Sequence, residues 1–267
     1  MTHRVRRILV SCTALILLAS PAFAAEDQNP SANSAQSSSS APPPDFLLGR
    51  PRATLGVRGN WLVASANSDI FEFITEQLTV NKSDFNTGSF AAEAGYLVSP
   101  RLSIVASWDL NQMNQESTDR NDDELLPNGS RVPIHQSTQL HQMNFTASAK
   151  FALLPRGRAI SRLAWIPRTF VPYVGAGAGY GSYELRQNGD FVDDTNKHIF
   201  TDTLNSKGWA PTAHVLGGTD IQVARHLLLS LEGRYSWQHA DLQTDFSNFQ
   251  PIDLGGFRFG AGVHLAY

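Results

Sequence analysis

The stretch Ser236-Trp-Gln-His239-Ala-Asp241 holds a hydroxyl, an imidazole and a carboxylate, the side-chain types of a nucleophile, a base and an orienting acid. In an extended strand, however, Ser236 and His239 differ in parity and point to opposite faces unless a bulge intervenes. The acidic run Asp122-Asp123-Glu124 and the pair Asp193-Asp194 could attract divalent cations. Neither has the ligand spacing or fixed turn of a calcium loop, so they read as solvated loop charges. Gly175, Gly177 and Gly179 repeat with a strand period and no helix follows, so they leave room for bulky neighbours rather than cradle phosphates. His214 and His264 face inward without cysteine or histidine partners at metal spacing, so they read as polar lumen residues rather than metal ligands. No catalytic or metal-ligating set and no cofactor is therefore expected.

A second group of charges is arranged differently. Arg58, Glu93, Asp109, Lys150, Asp220, Glu232, Arg234 and Arg258 are each opposite in parity to a stripe of apolar residues. They amount to four cations and four anions on seven strand candidates. A soluble sandwich would put such charges in water. Their near-equal balance instead predicts paired charges in a confined space, because each left unpaired there would cost several kcal/mol.

Eight strand candidates would position these charges. The first runs over Ala53–Ser65, with Leu55, Val57, Trp61 and Val63 on one face, and the second over about 88–98. The third carries Leu102, Ile104, Ala106, Trp108 and Leu110; the fourth and fifth cover about 139–153 and 170–183. The sixth spans about 209–223, and the seventh places Leu227, Leu229, Leu231, Tyr235 and Trp237 on one face. The last is Phe257–Tyr267, where Phe259, Ala261, Val263, Leu265 and Tyr267 alternate with Arg258, Gly260, Gly262, His264 and Ala266. Strict alternation over segments of about ten residues is the signature of a membrane-spanning β-barrel. A closed barrel is one of only two architectures that satisfy every backbone hydrogen bond in hydrocarbon. The expected fold is all-β, an eight-stranded antiparallel transmembrane β-barrel, with the charges above forming an ion network in its lumen.

The flanking sequence agrees with export. Thr2-His-Arg-Val-Arg-Arg7 is basic, Ile8–Ala19 is apolar, and Ala22-Phe23-Ala24 fits a cleavage site, so residues 1–24 read as a secretory signal peptide. Leu9-Val-Ser-Cys12 is not a lipoprotein box, because the cysteine follows the basic region with almost no apolar run before it. Cys12 is the only cysteine, so the mature chain would have no disulfide. Residues 25–50, with Ser37 to Ser40 and Pro42-Pro43-Pro44, read as a disordered Ser/Pro-rich periplasmic segment, leaving 51–267 as the barrel. A net charge of −3 argues against a nucleic-acid partner.

Connection lengths set an orientation. Asn67–Asn86, Asn114–Gln136, Leu185–Gly208 and Asp241–Ile252 are long and polar, and they alternate with short links. That alternation places the amino terminus on the periplasmic side. The link Leu154–Thr169 breaks the pattern: it is long and carries Arg156, Arg158, Arg162 and Arg168. It reads as a solvated basic turn, or as a segment lying against anionic headgroups. Trp61, Trp108, Trp209 and Trp237 fall toward the external strand ends and Tyr96, Phe151, Phe170 and Tyr267 toward the internal ends, with Trp165 the exception inside the basic link. Two aromatic girdles suit the two bilayer interfaces.

Val171-Pro-Tyr-Val-Gly-Ala-Gly-Ala-Gly-Tyr180, the alternation of loops and turns, and Gly260-Ala-Gly-Val-His-Leu-Ala-Tyr267 resemble the small bacterial outer-membrane β-barrel superfamily of the OmpA transmembrane domain, OmpX and OmpW. The resemblance implies an integral outer-membrane protein surrounded by lipid and lipopolysaccharide. It also implies a barrel-assembly machinery that reads Phe259, Val263, Leu265 and Tyr267 as a carboxy-terminal signal. No wall-gripping domain of the OmpA kind is expected after Tyr267. The functional expectation is a non-enzymatic barrel with a polar, ion-paired lumen, exposing four long loops for envelope integrity or surface interaction. A narrow OmpW-like channel for small apolar solutes is the alternative; charges along the lumen of so slim a barrel favour the first reading. A lipid A-modifying hydrolase is the third. Outer-membrane lipid A deacylases resemble the Ser236–Asp241 region but carry serine where this chain has Asp241.

Overall fold

The computed structural model describes residues 47–125, 129–161, 164–192 and 199–267. The expected signal peptide, the tether up to residue 46, Arg162 and the pair Asp193-Asp194 lie outside them. Strands whose two faces differ in polarity must hide one face, and these do so by closing on themselves. Four short strands, β1 (Leu47–Leu48), β6 (Gly157–Ala159), β7 (Ala164–Pro167) and β11 (Ile252–Asp253), accompany the barrel strands, which are β2 (Ala53–Ala64), β3 (Thr87–Leu97), β4 (Leu102–Leu125), β5 (Arg131–Ala152), β8 (Phe170–Val192), β9 (Ile199–Ala224), β10 (Leu227–Ala240) and β12 (Gly256–Ala266). Each pairs antiparallel with its neighbour, and β12 on β2 closes the ring, with Leu265 opposite Leu55 and Phe259 opposite Trp61. The Tyr267 carbonyl accepts from the Arg52 and Ala53 amides at 2.6 and 3.1 Å, which clamps the seam.

The surface is inside-out. Outward Leu55, Phe145, Val215 and Phe259 are about half exposed, whereas inward Arg58, Lys150 and Glu232 are buried. Water would not tolerate a continuous belt of exposed Leu, Val and Phe around a charged interior, and hydrocarbon requires it. The chain is therefore an eight-stranded transmembrane β-barrel with the architecture of the outer-membrane type.

Two of the expected long loops are mostly strand. Asn114–Gln136 and Leu185–Gly208 read as loops because their apolar alternation stops, yet β4 pairs with β5 and β8 with β9 far beyond that point, out to Leu125–Arg131 and Val192–Ile199. Once strands rise above the bilayer both faces can be polar, so pairing persists after its hydrophobic signature has ended. These four strands are 22 to 26 residues long, while β2, β3, β10 and β12 have 11 to 14. About ten residues suffice to cross hydrocarbon, so one wall of the barrel stands well above the other.

The other two expected loops fold inward instead of projecting. The connection after β2 forms α1 (Asp69–Gln77), with Asp69 and Glu72 in its first turn where the helix dipole favours them. The Gln250 amide donates to Asp69 at 3.0 Å and the Asp253 amide to Ser68 Oγ at 3.2 Å, tying α1 to the connection after β10. The Thr79 amide donates to the Thr118 carbonyl on β4 at 2.9 Å.

The basic link is also structured. Within it β6 (Gly157–Ala159) pairs with β7 (Ala164–Pro167), and β7 pairs with β1 (Leu47–Leu48). Leu47 faces Trp165 in register and both are buried. The end of the expected tether and the tryptophan that fitted no girdle thus pair with each other.

Candidate functional site

The inward face changes chemistry along the barrel. Near the middle, β2 contributes Arg58, β3 Glu93, β4 Asp109, β5 Lys150, β8 Tyr173, β10 Glu232 and Arg234, and β12 His264. The two glutamates are the hubs. Arg58 reaches Glu93 Oε1 at 2.5 Å with Nη2 and Glu232 Oε1 at 2.6 Å with Nη1. Lys150 Nζ lies 2.6 Å from Glu232 Oε2 and 3.9 Å from Glu93 Oε2. Arg234 approaches Glu232 at 3.1 Å, Asp109 at 3.5 Å and Glu93 at 3.7 Å. Tyr173 donates its hydroxyl to Glu232 Oε2 at 3.0 Å, and the Lys150 ammonium sits 5.0 Å from the centre of the Tyr173 ring. Two like-charged glutamates can share one lumen because three cations interleave with them.

Six of the eight charges expected in the lumen thus meet in one cluster. The other two do not join it. Asp220 pairs with Arg156 from the basic link, nearer the end where the short turns lie. Arg258 is buried, donates from Nη1 to Ser236 Oγ at 2.8 Å, and makes no ion pair with any described residue. Parity predicted that both face inward; it carries no information about height around a tilted ring, which decides partners. His264, 2.9 Å from Glu93 Oε2, and Tyr173 belong to the cluster and were not assigned to it from sequence. Their inward parity was the available signal. Arg156 had none, because it reaches the lumen from a link outside the strands. Between the central cluster and the Arg156–Asp220 pair the free space is about 30 Å³, on the order of one water.

On the loop side the lumen is polar, with Arg258 as its buried cation beside Ser236. Ser107 bonds Thr146 at 3.0 Å, Ser148 bonds His214 at 2.8 Å, and Asn111 Nδ2 donates to Gln142 Oε1 at 3.2 Å. A Cβ on Gly177 would lie 2.6 Å from His214 Nε2, so glycine is what lets the imidazole fit. Ser236 faces this interior, its Oγ donating to the Gly256 carbonyl at 3.3 Å, whereas His239 is exposed on the outer face. The hydroxyl and imidazole are on opposite sides of the wall, as their parity predicts.

Farther out the interior becomes apolar. The same inward registers reach Met113 on β4, Leu140 on β5, Tyr183 and Leu185 on β8, Ala210 on β9 and Ala240 on β10. Ile70, Phe71 and Ile74 from one face of α1, together with Leu78, Val80 and Phe85, fill the space they enclose. Leu242, Phe246, Ile252 and Leu254 enter from the connection after β10. The Phe71 and Phe85 rings meet edge to face at 4.7 Å. Tyr183 stays satisfied in this apolar setting by donating its hydroxyl to the Asp241 carbonyl at 2.6 Å.

No family model matches the chain, and no curated protein matches it. Among solved structures the chain is similar to Neisserial surface protein A, with 13% identity over 80% of this chain and 96% of that one, at a TM-score of 0.43. It is similar to the outer membrane protein OprG from Pseudomonas aeruginosa, with 11% identity over 83% and 99% and a TM-score of 0.45. It is also similar to Ail, the attachment invasion locus protein of Yersinia pestis, with 10% identity over 81% and 99% and a TM-score of 0.42. The fold assignment rests on strand register and the inside-out surface described above.

Proposed function

We propose that this protein is an integral outer-membrane barrel, sealed to flow, that acts through the surface at its loop end rather than by conduction or catalysis. The observation that carries this reading is the central ion cluster. It draws on seven of the eight strands and binds its cations to two shared glutamates at 2.5 to 3.1 Å. An eight-stranded lumen is barely wider than its own side chains, and a layer cross-linked this closely has no free path. The apolar filling around α1 is a second obstruction in series. An apolar outer bore is what a channel for apolar solutes would use, but here α1 occupies it and a charged layer lies below. With loops outward, the amino terminus is periplasmic, lipopolysaccharide surrounds the loop-end girdle, and β12 presents Phe259, Val263 and Leu265 on its outer face, followed by exposed Tyr267, for the assembly machinery.

Conductance of the refolded barrel in planar bilayers tests the seal. Wild type is expected to show no steady current. Replacing α1 by a short Gly/Ser linker, or Arg234 by Ala, leaves one obstruction each, and only the combined variant should conduct. Steady current through the wild type would overturn the reading and put the channel first.

A further inference from the structure

At the turn end, next to the Arg156–Asp220 pair, Arg50 and Arg156 line a second cavity of about 210 Å³. Its floor is buried Trp165, and its rim is formed by exposed Pro100, Ala159 and Ser161. The walls are built for close approach. Gly157 lies so near the indole that a Cβ there would sit 2.3 Å from the ring. Gly49 turns the chain from β1 to Arg50 at φ +86°, a left-handed value that favours glycine. Arg156 is held from two sides: its guanidinium pairs with Asp220, and its carbonyl accepts from the Arg168 amide at 2.8 Å.

Two donors on the residues that line this pocket are left over. Arg50 Nη2 and Arg156 Nε are buried and have no hydrogen-bond partner among the described residues. Charge is left over as well, because Arg50, Arg52 and Arg156 lie close together with Asp220 as the carboxylate paired among them. Burial, then Arg156, then Arg52 lower the Arg50 pKa. A guanidinium nonetheless keeps its proton at any ordinary pH, so deprotonation cannot relieve the repulsion and a bound anion can. A neutral apolar ligand would leave both donors unmet, and a cation would add to the repulsion. Planar guanidinium forks match tetrahedral and carboxylate oxygens. The exposed Tyr96, Val98 and Phe170 at this end of β3 and β8 mark where hydrocarbon gives way to headgroups, which places the pocket at phosphate height.

We propose that this pocket binds a phosphate-type oxyanion through Arg50 and Arg156, with Trp165 as its floor. The oxyanion could be carried by a phospholipid headgroup or by a free phosphate. The site stands on local geometry and does not depend on the lumen being sealed.

The test uses the full chain refolded into phosphatidylcholine nanodiscs, with the Trp165 indole N–H followed by NMR. One arm titrates inorganic phosphate; the other replaces part of the lipid with phosphatidylglycerol. A saturable shift of the Trp165 resonance with either probe supports the site, and the arm that produces it identifies the source. Arg50→Gln should weaken that response at least tenfold and Arg50→Lys, which keeps the charge but loses the fork, by less. Arg158→Gln, an exposed position outside the pocket, should change it less than twofold. If Trp165 responds to neither probe, or if Arg158→Gln weakens the response as much as Arg50→Gln, the proposal is wrong.

Discussion

The middle of the lumen and its loop end are walled by the same strands in the same inward register, yet they are filled by opposite chemistry. On β5 the inward positions run from Lys150 through Ser148, Thr146, Asn144 and Gln142 to Leu140. On β10 they run from Glu232 and Arg234 through Ser236 and Gln238 to Ala240. In the middle, a complete ring of eight strands brings opposite charges within reach on every side, so a charged layer can be satisfied by contacts across the bore. At the loop end half the wall has stopped, and a segment from outside the sheet must close the gap. Apolar burial suits that task because it is non-directional and needs no exact partner. Charge fills the space where geometry is fixed by the sheet; hydrophobic packing fills it where a loop must adapt.

The sharpest way to break this comparison is to remove a hub. Glu232→Ala removes the closest acceptor of Lys150 and Arg234 and leaves Arg58, Lys150 and Arg234 to share Glu93 alone. Loss of one partner from a buried ionic cluster costs about 3–5 kcal/mol. Urea unfolding of the barrel in lipid vesicles should show that loss for the whole molecule, and a change under about 1 kcal/mol would mean the layer is wet and unimportant. Next comes the apolar end. Phe71→Ala should cost about 3 kcal/mol, but only locally. Hydrogen exchange over residues 69–85 should accelerate while the global unfolding midpoint stays in place, and a global shift would show that the two layers unfold as one.

Exchanging the faces gives a smaller effect. Leu265→Asp puts onto the outer face of β12 a carboxylate of the kind the inner face accommodates next door, where His264 meets Glu93. A charge on the lipid side near the interface should cost about 1–2 kcal/mol and reduce the yield of heat-modifiable folded protein. Full insertion at wild-type yield would argue that lipid does not face this strand. The smallest effect is expected at the exposed pair of Arg186 and Glu184, 2.7 Å apart. Glu184→Gln should change stability by less than about 0.5 kcal/mol. Adding salt to wild type should weaken this exposed pair and leave the central cluster nearly untouched.

Strand parity was fully legible. Alternation in Leu55–Val63 and Phe257–Tyr267 identified the outward face, and the polar residues between them identified the inward one, because parity is a property of the local backbone. It also separated Ser236 from His239 before any contact was known. The chain alone therefore determined an eight-stranded inside-out barrel and the face on which each strand residue lies.

Only the tertiary structure decided who meets whom. Asp220 left the expected network for Arg156, and Tyr173 and His264 joined it, because partners depend on height around a tilted ring rather than on parity. β4, β5, β8 and β9 continued past the end of their apolar pattern because backbone pairing does not require an apolar face once strands stand in water. The amphipathic helix α1 at Asp69–Gln77 became a plug because the short β2–β3 and β10–β12 walls left an apolar space beside them that only a connection could fill.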